Sequence, residues 1–212
     1  DEGSQLLSLL LEPKPGDTVV DACAGGGGKT LHIAALMNNK GRLYALDVDE
    51  MRLRNVLPRL TRAGVTVATL LHAEKDKERL AALVGTADTV LVDAPCSGIG
   101  TFRRNPGAKL TVTEAYVERM ARTQQAILET YAPLVRSGGR LVYSTCTLVR
   151  KENEEIVETF LRRHPEFALV DAPALLRNYG VEADFSSHYL LLLPHRTQTD
   201  GFFAATMVRR SS

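Results

Sequence analysis

Five apolar runs, 17-DTVVD-21, 42-RLYALD-47, 65-VTVATLL-71, 88-DTVLVD-93 and 139-GRLVYST-145, alternate with helical stretches at about 28 to 38, 49 to 63, 76 to 84 and 113 to 136, and a further one follows at 150 to 163. A strand with one wet face alternates apolar and polar residues. Most of these runs are too continuously apolar for that and suit a parallel sheet covered on both sides. Parallel neighbours need a crossover connection, and the intervening helices have the length for one. The pattern predicts an α/β, doubly wound, mostly parallel sheet.

Boundary residues agree with that reading. Asp49 and Glu50 open one helix at its positive end, and Ser137-Gly138-Gly139 is expected to close the 113 to 136 helix, where glycine can take the left-handed turn. The runs 167-FALV-170, 189-YLLLL-193 and 202-FFAATMV-208 have little helical pattern between them and predict an antiparallel edge. At 212 residues the chain fits one domain able to bury roughly two-thirds of its unfolded surface, without disulfides or metals.

Three cysteines, Cys23, Cys96 and Cys146, form no CxxC or His-Cys pair, which argues against a zinc site and for free thiols in a reducing compartment. The longest apolar runs fall far short of the ~20 residues of a membrane span, and the N-terminal residues are acidic, so a cytoplasmic location is expected. A net charge of +1 gives no global attraction to nucleic acid. A polyanion would have to meet a local basic surface or another domain.

The segment 21-DACAGGGGKT-30 follows the first strand and feeds a helix, where ligands of doubly wound sheets sit. A phosphate-binding P-loop needs glycine six positions before its lysine, and that position is Cys23. The dinucleotide pattern GxGxxG fails too, since its third glycine would fall on Thr30 or Leu31. Asp47 ends the next strand 20 residues after Gly27, a spacing at which a carboxylate accepts hydrogen bonds from ribose hydroxyls. S-adenosylmethionine, with a ribose and no pyrophosphate, meets both requirements; the alternative is a tight turn with a capping aspartate. The fourth and fifth strands end in 93-DAPCSG-98 and 144-STCT-147, so Asp93, Cys96 and Cys146 are expected beside the glycine loop. The N-terminus of the helix near 150 would favour a Cys146 thiolate, partly offset by Glu152, Glu154 and Glu155. Taken singly, each cysteine also fits a buried core thiol.

The blocks 21-DACAGGGGKT-30, 93-DAPCSGIGTFRRNP-106, 139-GRLVYSTCTLVRKENEEIV-157 and 200-DGFF-203 resemble the Nop/Sun (Sun/Fmu) family of RNA cytosine carbon-5 methyltransferases, in order from 2-EGSQ-5 onward. The resemblance implies the seven-stranded, Rossmann-like sheet of S-adenosylmethionine-dependent methyltransferases. It implies Cys146 as nucleophile on cytosine carbon 6 and Cys96 as the thiol that assists product release. Carbon 5 of cytosine accepts a sulfonium methyl only after a thiolate adds at carbon 6 and makes the ring enamine-like. Asp93, at ring N3 and the exocyclic amine, would stabilise charge on the base, and Lys29 would face the cofactor or the base. Cofactor contacts are implied at Cys23, Ala24, Gly25, Gly26, Gly27, Gly28, Lys29, Asp47, Glu74 and Asp93. Two departures stand out. The family loop CAAPGGKT reads 23-CAGGGGKT-30 here, which loosens it, and the usual Gly-Asp after the third strand reads 72-HAE-74, leaving Glu74 as the nearest counterpart.

Arg103, Arg104 and Lys109 follow the DAPCSG block and are expected to contact RNA, whose cytosine must be unpaired or flipped to be reached. The RNA implied by the family is chiefly ribosomal. Residues 1 to 212 read as the catalytic domain alone, without the N-terminal RNA-binding module that family members commonly carry, and as a monomer. The competing readings are a DNA or small-molecule methyltransferase and a catalytically idle RNA-binding or assembly factor.

Overall fold

A computed structural model of the chain describes residues 1–181 and 187–211. Its sheet is built from β1 (Thr18–Asp21), β2 (Arg42–Asp47), β3 (Ala68–His72), β4 (Ala87–Asp93), β5 (Val135–Thr145), β6 (Phe167–Val170), β7 (Leu190–Leu192) and β8 (Phe202–Arg209). The order across it is β3-β2-β1-β4-β5-β8-β6, with β7 also paired to β8. Neighbours among β1 to β5 are parallel, and β8 runs antiparallel between β5 and β6. Phe167 to Val170 pair with Arg209 to Thr206, while Leu190 to Leu192 pair with Ala204 to Phe202. β6 and β7 therefore share one flank of β8, and the sheet is seven strands wide with a divided edge.

Helices α1 (Glu2–Leu9), α2 (Gly28–Leu36), α3 (Glu50–Arg62), α4 (Lys77–Ala81), α5 (Glu114–Tyr131), α6 (Glu154–Arg163), α7 (Ala172–Arg177) and α8 (Pro194–Thr197) complete the fold. Successive strand residues point to opposite faces. Val19, Leu43, Leu91 and Val142 pack in one core with Leu7 of α1 and Ile33 of α2. Val20, Val90, Val92, Leu141 and Tyr143 pack in the other with Leu128 of α5 and Val157 and Phe160 of α6. Both faces are covered, which is why the strands read as continuously apolar. No helix of the described residues is long and apolar enough to cross a membrane.

Three local expectations are corrected. α5 stops at Tyr131 and not at 136, because Pro133 cannot donate to the helix, and a 3-10 turn over Ala132–Leu134 leads straight into β5. Ser137-Gly138-Gly139 consequently caps no helix. It lies in a register shift of β5, where Ala87 pairs with Val135 and Thr89 with Arg140. Gly138 has a φ of 72°, and a Cβ on Gly139 would lie 2.9 Å from the Asp88 carbonyl oxygen. The third strand begins at Ala68 and not at 65, because the Val65 N–H turns back to the Leu60 carbonyl and finishes α3.

Candidate active site

β1 pairs with β2 on one side and β4 on the other, so the strand order reverses at β1 and opens a crevice beyond the carboxyl ends. A cavity of about 360 Å³ lies there, lined by Cys23, Gly25, Asp47, Val48, Arg52, Asp93, Ala94, Pro95, Cys96, Ile127, Tyr131 and Cys146 among others. Asp47 holds its loop from both oxygens, accepting from the N–H of Gly25 and from that of Asp49, each at 2.9 Å. Each oxygen keeps a lone pair for a ligand hydroxyl. Gly25 and Gly27 have φ of 53° and 76°, and a Cβ on Gly27 would come within 2.7 Å of Val56. Apolar walls of Val48, Ile127 and Tyr131 facing a carboxylate and a backbone loop suit a nucleoside.

At the other end of the cavity the sulfurs of Cys96 and Cys146 are 3.2 Å apart, and the Cys146 N–H donates to the Cys96 sulfur at 3.3 Å. The Cys146 thiol is held below its ordinary pKa, first by the hydrogen bond from Cys96 and also by the Lys29 ammonium, against burial and the Asp93 carboxylate. The Cys96 thiol is pushed up by its contact with Cys146 and by burial. Of the pair, Cys146 is therefore the thiol whose ionisation the surroundings favour. A 3-10 turn over Arg150–Glu152 stands where the helix start was expected and α6 itself begins at Glu154, eight positions along the chain from Cys146; the groups that lower the thiol are Cys96 and Lys29.

Lys29, in the first turn of α2, forms an ion pair with Asp93 at 2.6 Å, and the Ser144 hydroxyl donates to the second Asp93 oxygen at 2.9 Å. Burial disfavours the Lys29 charge, but Asp93 outweighs it and the pKa is raised. Lys29 also borders a smaller cleft formed with Ser4, Gln5 and His32. Cys23 lines the cavity, but burial and the carboxylates Asp93, Asp21 and Asp47 raise its thiol, which disfavours its thiolate.

These positions can be set against matches to known proteins. Residues 8–208 match the family model described as 16S rRNA methyltransferase RsmB/F. The chain belongs to the RsmB/F family. It is 40% identical over 213 residues to a probable ribosomal RNA small subunit methyltransferase B of Bacillus subtilis, covering 99% of this chain and 47% of that protein. It is 34% identical to ribosomal RNA small subunit methyltransferase F of Erwinia tasmaniensis, covering 100% and 45%. Among solved structures, NSun6 from Pyrococcus horikoshii with SFG superposes with a TM-score of 0.83 at 33% identity, covering 99% of this chain and 52% of that one. The chain spans about half the length of the curated relatives it matches. The fold is that of S-adenosylmethionine-dependent methyltransferases.

Within this RsmB/F domain the Gly25-Gly26 departure is held in place by contacts that the sequence did not reveal. Arg59 of α3 donates to the Gly26 carbonyl, and the Gly27 N–H donates to the Ala24 carbonyl at 2.8 Å. Glu74 is exposed and is not among the residues lining this cavity. Ala24 is buried, while Gly26 and Gly28 shape the turn without lining the cavity. Arg104 is committed to the buried carboxyl of Asp200, and Arg103 donates to the Gln198 carbonyl at 3.1 Å. Lys109 is exposed and makes no ion pair among the described residues. Those residues also contain no group of three or more His, Cys, Asp or Glu arranged to hold a metal.

Asp21, at the end of β1, accepts from the Thr30 hydroxyl at 2.7 Å and leaves its other buried oxygen without a partner. Burial raises its pKa from 3.8 to about 6. The native state thus keeps a proton that the unfolded chain releases, and stability falls as pH rises from about 4 to about 6. Two pKa units correspond to at most about 3 kcal/mol. Asp21→Asn is expected to melt roughly 5 to 10 °C above the parent at pH 7.5 and level with it at pH 4, as followed by circular dichroism.

Proposed function

We propose that the chain is the catalytic domain of an S-adenosylmethionine-dependent methyltransferase that forms 5-methylcytosine in ribosomal RNA through a covalent bond from Cys146 to carbon 6 of the base. The observation that carries this reading is the thiol pair, 3.2 Å apart at the edge of a nucleoside-shaped cavity, with Cys146 the more acidic member. The small-subunit rRNA methyltransferases B and F among its relatives support the substrate class, and the NSun6 neighbour carrying SFG, an analogue of the methyl donor, supports the cofactor.

Asp47, Gly25 and the Val48 and Ile127 walls would hold the cofactor, which supplies an electrophilic methyl group when bound. On the substrate side the Cys146 thiolate adds to carbon 6, and the displaced ring electrons make carbon 5 nucleophilic. Asp93 and Lys29, already sharing a proton contact, present an acceptor to the exocyclic amine and a donor to ring N3. After carbon 5 is methylated, a base takes its proton. The carbon 5 to carbon 6 double bond then re-forms as the bond to sulfur breaks, and Cys96 is placed to assist that release. Cys96 and Cys146 both touch the reacting region, whereas a protein that only binds RNA has no need for two thiols there.

The test is incubation with labelled methyl donor and small-subunit rRNA, followed by nucleoside mass spectrometry. 5-Methylcytidine is expected; label in any other nucleoside would sink the reading. The pH profile gives a second check. Activity should rise as Cys146 loses its proton, with a midpoint below the ~8.5 of an ordinary thiol. Lys29→Met removes a stabilising cation and leaves Asp93 uncompensated, so the midpoint should move to higher pH.

A further inference from the structure

The loop carrying Cys96 and the loop carrying Cys146 are joined by a buried side chain that the proposed chemistry does not use. Glu152 is fully buried and makes no ion pair among the described residues. One of its carboxyl oxygens accepts from the Ser97 N–H at 2.8 Å and from the Gln124 side-chain amide at 2.8 Å, and the other from the Thr147 hydroxyl at 3.4 Å. Ser97 adjoins Cys96 and Thr147 adjoins Cys146, and the hydroxyls of Ser97 and Thr147 are themselves 2.8 Å apart. Gln124 also donates to the Pro95 carbonyl at 2.9 Å, and Tyr143 to the backbone carbonyl of Glu152 at 2.6 Å. Burying a carboxyl without a cation is costly, and neutral packing would serve the fold more cheaply.

We infer that Glu152 is a positioning residue, holding the two cysteine loops at the separation that lets the thiols touch. The inference rests on the reading that both thiols work in the reaction. It is geometric and independent of the charge. A glutamine fits the same place, its oxygen taking the Ser97 and Gln124 donors and its amide donating to the Thr147 hydroxyl.

Glu152→Ala, Glu152→Gln and Thr147→Val are compared with the parent for kcat, for KM of the methyl donor, and for the pH dependence of Cys146 carbamidomethylation read by peptide mass spectrometry. Displacement of reacting groups by about 1 Å costs on the order of 100-fold. Glu152→Ala and Thr147→Val are therefore expected to lose about that factor in kcat with KM for the donor within about twofold, and to need higher pH for alkylation of Cys146. Glu152→Gln should recover most of the loss. If the alanine variant fails to fold, Thr147→Val, which replaces the hydroxyl by a methyl of similar size, carries the test. Parental kcat in both Glu152→Ala and Thr147→Val, or a glutamine variant as impaired as the alanine one, overturns the inference. Absence of 5-methylcytidine from the parent itself overturns instead the reading on which it rests.

Discussion

Cys146→Ala is expected to abolish methyl transfer, by at least roughly 10⁴-fold, the scale on which loss of a covalent nucleophile acts, and to leave no protein–RNA adduct on a denaturing gel. Cys96→Ala should behave differently. Its nucleophile is intact, so addition and methylation proceed while release stalls, and a methylated adduct stable to denaturant should accumulate. Cys96 also donates the main hydrogen bond that lowers the Cys146 pKa, so adduct formation in that variant should need higher pH than in the parent. An adduct that forms through Cys96 when Cys146 is absent would exchange the two roles. Methylation at parental rate in both single variants would end covalent catalysis as an account of this site.

The second large effect is expected at Gly100, which does not line the cavity. Its N–H donates to the Cys146 carbonyl at 3.0 Å, and its own carbonyl accepts from the Gly201 N–H at 2.8 Å. A Cβ on Gly100 would sit 2.8 Å from the Cys146 carbonyl oxygen and closer still to that of Gly201. Both neighbours are backbone and cannot swing aside. Gly100→Ala should therefore cost about 1 to 3 kcal/mol of stability through overpacking and reduce kcat on the order of 100-fold by shifting Cys146. Gly98→Ala is the useful comparison: its φ is 71° but a Cβ there meets nothing nearer than 3.7 Å, so it should show a strain cost of about 1 to 2 kcal/mol and little loss of rate in the folded fraction. Thermal melts and initial rates on the two variants separate strain from displacement.

The layered sheet was legible in the sequence because its strands are buried on both faces and carry no alternation, and the β2 span of 42 to 47 matches to the residue. Boundaries that depend on a partner were not. The double glycine after Ser137 has the composition of a helix cap, and only the pairing of β4 with β5 reveals it as a bulge. α1 went unread although Asp1 caps it, Leu7, Leu10 and Leu11 recur at helical spacing, and Pro13, Pro15 and Gly16 mark a break just beyond it. At the site, Asp93, Cys96 and Cys146 were readable because strand ends converge by topology. Glu152 and Gln124 were not. Each lies on an acidic or polar stretch that looks solvated, and burial of a single member of such a run is set by the loops folding over it. Arg104 was assigned to RNA on its position, while the Asp200 carboxyl that claims it lies 96 residues further along the chain.

β8, the latest strand in sequence, enters the sheet between β5 and β6 and does not extend a finished edge. Until it arrives, the strand that presents Cys146 has an open flank and β6 has no ladder to join. During synthesis the nascent domain must therefore pass through a stage with an exposed, apolar strand edge of the kind that invites mispairing. The two thiols would gain their fixed spacing only when Gly201 closes against Gly100, which ties competence for chemistry to the completion of folding.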